Sequence, residues 1–222
     1  MRHLAFGYII FALFLSIGCF SQTKIEIKEA EEFLGFNDTL KFTKATNFRI
    51  KSLDCFDYEI KDSVLAPKLT LLINSDRILL ARKGDYEYYV SQFELGLGSD
   101  VNYSSPERIN FLNTGTNQLL LKWWDKSSNA HFRDDRAGFI IIDIENMNIV
   151  ANFTNYFDHA VWDENDEMQE DCYNFTPQIN NREIIFTQVN KCGEKKSKQT
   201  KSPIKISYKA VGNELIKVRN EN

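Results

Sequence analysis

The sequence predicts an all-β protein built as an antiparallel meander, either a small or irregular β-propeller-like fold or a β-sandwich, with room for one short N-terminal helix. Three observations predict this class. Short apolar runs recur from residue 68 to the C terminus, turn-forming residues separate them, and aromatic residues make up 13% of the chain, with 17 Phe and 9 Tyr. Aromatic and β-branched residues favour strands, and short runs bounded by Gly, Asn, Asp or Ser are typical of hairpins.

The predicted strands follow one another closely along the chain. Between them lie segments rich in Asn, Asp, Gly and Ser, such as 74–77 and 83–85, which supply the conformations that tight reversals need. No Pro- or Ser-rich linker divides the run, so residues 22–222 are expected to form a single β-rich domain. A short helix is expected at 28–36. The predicted strands are 24–27, 47–50, 69–73, 78–82, 86–95, 109–112, 118–124, 137–144, 148–154, 173–179, 183–189, 204–210 and 214–218.

Two architectures fit this strand order. The pair at 110–111 precedes an apolar triplet at 119–121, and a similar arrangement returns about 65 residues later at 174–175 and 184–186. This echo suggests two copies of a four-stranded unit, which is what one propeller blade contains. About fourteen strands are also enough for a plain sandwich, so the sequence leaves both architectures open.

Residues 1–21 match a secretory signal peptide. Arg2 precedes an uncharged run at 4–20, and the small residues Gly18 and Ser21 lie at its end. The run is shorter than the roughly 20 residues of a bilayer-spanning helix, and no later segment is apolar enough to span. The mature chain is therefore expected to be secreted or periplasmic, with no transmembrane segment.

A second processing site competes with the first. Segment 16–19 resembles a bacterial lipobox, in which Cys19 would become the lipidated first residue, although Leu15 lies one step earlier than the usual leucine. The alternative location is therefore a membrane-anchored lipoprotein held through Cys19. Simple secretion is the preferred interpretation.

The charge balance limits the kinds of partner. Removing Arg2 from the 27 basic residues leaves 26 against 31 acidic residues, a net charge of −5 for the mature domain. A mildly acidic surface argues against nucleic acid and anionic membrane as main partners. A protein or glycan of the cell envelope is the expected partner.

Three of the four cysteines remain after residue 21. Cys172 and Cys192 flank a hairpin-like segment and are the natural disulfide pair in an oxidising compartment, where closing that loop would stabilise the fold by about 3 kcal/mol. Cys55 is left over, and we interpret it as a small buried apolar residue.

The connections between predicted strands differ in length at the two ends of the meander. Because successive connections alternate between the ends of an antiparallel sheet, the short ones (113–117, 145–147, 180–182 and 211–213) fall at one end. The long ones (96–107, 125–136, 155–172 and 190–203) fall at the other. Long loops in compact domains are often functional, so the rim of long loops is the predicted binding surface.

The predicted binding rim contains aromatic and titratable residues. Trp124 falls on the more polar face of its strand, where it could stack on a sugar or on a partner's side chain, whereas Trp123 falls on the apolar face and is expected in the core. The rim residues are Trp124, His131, Asp134, Asp135, His159 and Trp162.

No catalytic residue, cofactor or metal site is predicted. The chain lacks the G-x-S-x-G, phosphate-loop, H-E-x-x-H and C-x-x-C patterns. The acidic run 163–171 does not fit an EF-hand, because Met168 stands where Gly is required. The sequence therefore favours an exported recognition or inhibitor-like module. The alternatives are an envelope hydrolase that uses His131 and His159 with nearby aspartates, and a structural lipoprotein.

Overall fold

A computed structural model describes residues 34, 39–41, 46–54, 59–66, 68–74, 77–94, 101–115, 118–162, 168–189, 203–212 and 214–218. The chain divides into two compact units, Met1–Asn37 and Asp38–Asn222. Leu34, buried within a turn, is the described residue of the first unit. The predicted signal segment 1–21, the predicted strand 24–27 and, Leu34 apart, the predicted helix 28–36 lie outside the described residues.

The described residues of the second unit form an all-β structure, which confirms the predicted fold class. Every paired strand is antiparallel to its neighbour, and no helix occurs in the described ranges. The strands there are β1 (Thr39–Lys41), β2 (Thr46–Ile50), β3 (Glu59–Ala66), β4 (Leu69–Asn74), β5 (Arg77–Lys83), β6 (Tyr88–Glu94), β7 (Asn102–Tyr103), β8 (Glu107–Ile109), β9 (Gln118–Ser128), β10 (Phe132–Asp143), β11 (Asn148–Trp162), β12 (Met168–Asn180), β13 (Glu183–Gln188), β14 (Lys205–Val211) and β15 (Glu214–Val218).

These strands form two sheets. The ten-stranded sheet has the order β1-β15-β14-β13-β12-β11-β10-β9-β7, with β8 also paired to β9, and the five-stranded sheet has the order β2-β6-β5-β4-β3. From β9 to β15 each strand pairs with the next one in sequence, which is the predicted meander. β12 pairs with β11 through Met168–Asn174 and with β13 through Phe175–Asn180, so different halves of this strand hold its two neighbours.

The two sheets share one apolar core. Strands β4, β5 and β6 of the five-stranded sheet contribute to the same buried cluster as β9, β10 and β11 of the ten-stranded sheet. Arg82 adds a polar link, since its Nη2 donates to the carbonyl oxygens of Ile144 at 2.8 Å and Glu145 at 3.1 Å. The cluster includes Leu71, Ile73, Ile78, Leu80, Phe93, Leu119, Leu121, Trp123, Ile140, Ile142 and Ile149. Trp123 is 1% exposed, as predicted.

The short turns at one end of the meander are stabilised locally. The carboxylate of Asp143 accepts a hydrogen bond from the Glu145 backbone N–H at 3.0 Å and another from the Asn146 side-chain amide at 2.7 Å, which fixes the β10–β11 turn. Met147, within that turn, and Arg182, in the β12–β13 turn, both have positive φ angles. The predicted strand at 109–112 ends earlier than expected.

The side chain of Gln118 explains why the strand β8 ends at Ile109 and does not continue to residue 112. Its Oε1 accepts from the Leu112 backbone N–H at 3.1 Å, and its Nε2 donates to Thr114 Oγ1 at 3.1 Å. These bonds take the place of a strand ladder. Phe111 is fully buried although it lies in a turn. The apolar residues at 111–112 therefore indicate a buried segment and not a strand.

Candidate functional site

Two of the predicted long loops are mostly strand, and that part of the prediction was wrong. β9 continues to Ser128 and β10 begins at Phe132, so the connection predicted at 125–136 shrinks to 129–131. Likewise β11 continues to Trp162 and β12 begins at Met168, which reduces the connection predicted at 155–172 to 163–167. Charged residues occur on both faces of these extensions, so the apolar–polar alternation that identifies a strand is missing.

We call this four-stranded extension the arm. It consists of residues 124–128, 132–137, 156–162 and 168–174, which pair in the order β9-β10-β11-β12. The arm begins at a register shift between Ala137 and Gly138, where β11 carries the extra residue Asn155. The Nδ2 of Asn155 donates to the carbonyl oxygen of Phe175 at 3.0 Å, which ties the irregular residue to β12.

The tip of the arm brings His131 and Trp162 together. The side-chain Oδ1 of Asn129 accepts from the backbone N–H groups of His131 at 2.7 Å and Phe132 at 3.0 Å, which closes the β9–β10 turn. The Trp162 backbone N–H then donates to the His131 carbonyl oxygen at 3.0 Å. Residues predicted to share one rim are therefore neighbours in the backbone, and the His131 side chain is exposed.

The two faces of the arm carry different side chains. Because residues directly opposite each other on neighbouring strands share a face, one face contains Trp124, Lys126, Arg133, Asp135, Ala137, Tyr156, Asp158 and Glu170. We call it the Trp124 face. The other, the His159 face, contains Asp125, Asp134, Arg136, Phe157, His159 and Asp171.

A charge network crosses the Trp124 face. Arg133 Nη2 donates to Asp158 Oδ1 at 2.8 Å and to Glu170 Oε1 at 3.2 Å, and the Tyr156 hydroxyl donates to Asp158 Oδ2 at 3.3 Å. The hydrogen bond to Asp158 and the surrounding carboxylate charges raise the pKa of Arg133 above its ordinary value. Burial raises the pKa of the Tyr156 phenol, and the charge of Asp158 adds to the rise. Tyr156 is therefore a neutral hydroxyl whose position is set through Asp158 and Arg133.

A stack of planar groups lies on the His159 face. Arg136 donates twice to Asp134, from Nε at 2.8 Å and from Nη2 at 2.6 Å, and its guanidinium lies 5.4 Å from the centre of the Phe157 ring. The Phe157 ring stacks on the His159 ring at 5.9 Å with an angle of 3° between the planes. The hydrogen bond to Asp134 raises the pKa of Arg136. Arg136 is thus held by one carboxylate and one aromatic face.

The six predicted rim residues consequently do not form one composite pocket. Trp124 and Asp135 lie on one face of the arm, and Asp134 and His159 lie on the other, where His159 Nδ1 is 4.0 Å from Asp134 Oδ2. Asp158, adjacent to His159 in sequence, faces the opposite way, so Asp134 is the aspartate that lies beside this imidazole.

The sequence missed Tyr156 and Ala137 as members of the site. The signal that could have found Tyr156 is the period of two within 156–162, which places 156, 158, 160 and 162 on one face. Their position was hidden because both residues adjoin the bulge at Asn155, where the pairing shifts by one residue.

Cys172 of β12 is buried and takes part in a disulfide. Its predicted partner Cys192 lies outside the described residues, as does Cys55, so the pairing Cys172–Cys192 stays a prediction. No group of three or more His, Cys, Asp or Glu side chains within the described ranges could hold a metal ion. The same part of the chain contains no helix with the length and apolar character needed to cross a bilayer.

Comparison with protein-family models, with curated proteins and with solved structures finds no match for this chain. The function is therefore inferred from the geometry of the arm.

Proposed function

We propose that this chain is an exported recognition or inhibitor-like module that binds a protein or glycan of the cell envelope through the arm. The observation that carries the proposal is the arm itself, a four-stranded extension with aromatic and charged side chains on both faces. Ala160 and Cys172 of the arm are buried, and its other described residues are exposed or half-buried. Most arm side chains are therefore accessible to a partner.

The arm has the composition of a binding surface. Trp124 is 40% exposed, and Arg133 and Arg136 are each held in place by carboxylates. Trp, Tyr and Arg dominate the energetics of protein interfaces, because each combines a large contact area with a polar group. Ordered arginines also lose less side-chain entropy on binding than free ones. These features support a preformed surface rather than a solvated hairpin.

Export is the second part of the proposal, and it rests on residues 1–21. Expression of the full chain in a bacterial host, followed by N-terminal sequencing, tests it. A mature N terminus at Gln22 supports secretion, and a lipidated Cys19 that partitions into detergent supports the lipoprotein alternative. An N terminus that keeps residues 1–21 would contradict both.

The binding proposal is tested with a triple variant of the arm. We expect Trp124→Ala, His131→Ala and Trp162→Ala together to abolish capture of a partner from envelope extract, because two exposed or half-exposed indoles and the tip imidazole are lost. Tyr86→Ala is the matched control, since Tyr86 is a 95% exposed aromatic residue of the β5–β6 turn. Equal capture by the wild type and the triple variant would contradict the proposal.

A further inference from the structure

We infer that the Trp124 face binds a neutral glycan, held between Trp124 and Tyr156 above Ala137; this inference rests on the proposed function of the arm. The three residues lie in one cross-strand row, with Trp124 opposite Ala137 and Ala137 opposite Tyr156. A small side chain thus lies between two large aromatic ones. We call this row the aromatic slot.

The dimensions of the aromatic slot suit a sugar ring. Neighbouring strands lie about 4.8 Å apart, so the backbones that carry Trp124 and Tyr156 are about 10 Å apart. Ala137 fills little of the space between them. A pyranose ring presents C–H groups on its faces, and these pack favourably on the electron-rich face of an aromatic ring.

The residues beside the slot provide hydrogen-bonding groups for hydroxyls. The next row along the strands contains Lys126, Asp135 and Asp158, directly opposite one another on β9, β10 and β11. Carboxylates accept from sugar hydroxyls in strong charge-assisted bonds. Asp158 already accepts from Arg133 and Tyr156, so Asp135 is the carboxylate of this row that we assign to the ligand.

The Tyr156 side chain, which forms one side of the aromatic slot, is held in a fixed position. Its hydroxyl donates to Asp158, which Arg133 holds at 2.8 Å, so the phenol is anchored at its far end. The raised pKa of Tyr156 keeps this donor neutral across the physiological range. Because this side chain is already ordered, less side-chain entropy is lost when a ligand binds.

The charge of this face favours a neutral ligand over an anionic one. Three carboxylates, those of Asp135, Asp158 and Glu170, accompany only two cations, Lys126 and Arg133. Arg133 is engaged with Asp158 and Glu170. An acidic polysaccharide would meet a face with one more carboxylate than cations, on a domain whose mature form carries a net charge of −5.

Calorimetric titration with neutral tetrasaccharides tests the inference. The probes are chitotetraose, cellotetraose and mannotetraose, with tetragalacturonate as the anionic comparison. We expect at least one neutral probe to bind with a Kd below about 1 mM. Trp124→Ala should weaken that binding by about tenfold or more, because an aromatic wall is removed. Ala137→Leu should weaken it similarly by filling the slot while leaving Trp124 in place.

Tyr86→Ala is the control for both variants and should bind as the wild type does, and circular dichroism checks that each variant is folded. The inference is overturned if no neutral probe binds, if tetragalacturonate binds more tightly than the neutral probes, or if Trp124→Ala and Ala137→Leu bind normally. If no sugar binds but the triple arm variant still loses a protein partner, the glycan assignment fails and the recognition function stands. If neither assay changes, both fail.

Discussion

Gly138 lies at the boundary between the arm and the shared core. A Cβ atom at this position would overlap the carbonyl oxygen of Phe153 and the indole ring of Trp123. Gly138 and Trp123 are directly opposite each other on β10 and β9, so the ring packs over the bare backbone. Glycine is required here for close approach rather than for a left-handed conformation.

We expect Gly138→Ala to destabilise the protein by about 1–3 kcal/mol, since both neighbours are buried and the backbone oxygen has to move. Urea unfolding monitored by tryptophan fluorescence measures the effect. Gly212→Ala is the matched control, because that residue has open space around it and a φ of +60°, which costs an alanine roughly 1 kcal/mol from backbone strain alone. An effect of Gly138→Ala smaller than that of Gly212→Ala would contradict the packing argument.

The arm is an element whose stability comes from side-chain ionic contacts as well as from its backbone ladder. Arg133 connects β10 to β11 through Asp158 and to β12 through Glu170. The side chain of Asp158 is only 13% exposed, so removing its cationic partner leaves a mostly buried carboxylate without its ion pair. The arm is therefore the part of the ten-stranded sheet in which one substitution can act locally.

We expect Arg133→Ala to lower the local opening free energy of the arm by about 1 kcal/mol, a value reduced for solvent screening because Arg133 is about one-third exposed. Hydrogen exchange of peptides covering 156–162 should accelerate severalfold, while exchange of peptides from β5 is unchanged. Arg133→Lys is the conservative variant and should restore part of the protection. Uniform acceleration over the whole chain would show that the network is not local.

The same elements show what sequence patterns can and cannot predict. The strand at 214–218 was predicted at its observed bounds because apolar residues and the Gly212 turn define it from both sides. In contrast, 132–136 and 156–162 were predicted as loops, since alternation cannot be recognised where both faces carry charges. The meander order alone predicted that His131 and Trp162 lie at the same end of the sheet. That His159 and Asp158 lie on opposite faces could be predicted only by recognising that their segment is a strand.

At the scale of the whole molecule, the two sheets are expected to unfold together. All three tryptophans belong to the ten-stranded sheet, in β9 and β11, whereas Leu80 belongs to β5 of the five-stranded sheet. Leu80 is fully buried in the cluster that both sheets share. A change in one sheet should therefore be detected by reporters in the other.

We expect Leu80→Ala to cost about 2–5 kcal/mol and to lower the urea midpoint measured by tryptophan fluorescence as much as that measured by far-ultraviolet circular dichroism. Val218→Ala, at a position that is 37% exposed in β15, should change the midpoint little. Two separate midpoints for Leu80→Ala would show that the sheets unfold independently.

The pairing of β1 with β15 places Thr39 opposite Ile216, so strands from near the two termini are neighbours in one sheet. Hairpins from β9 to β15 join residues close in sequence and can form early, while the β1–β15 ladder joins Thr39 to Ile216 and closes a much longer loop at a higher entropic cost. During synthesis on the ribosome, β1 emerges long before its partner exists. The ten-stranded sheet can therefore be completed only after β15 has been made, and until then β1 has no partner for its final ladder.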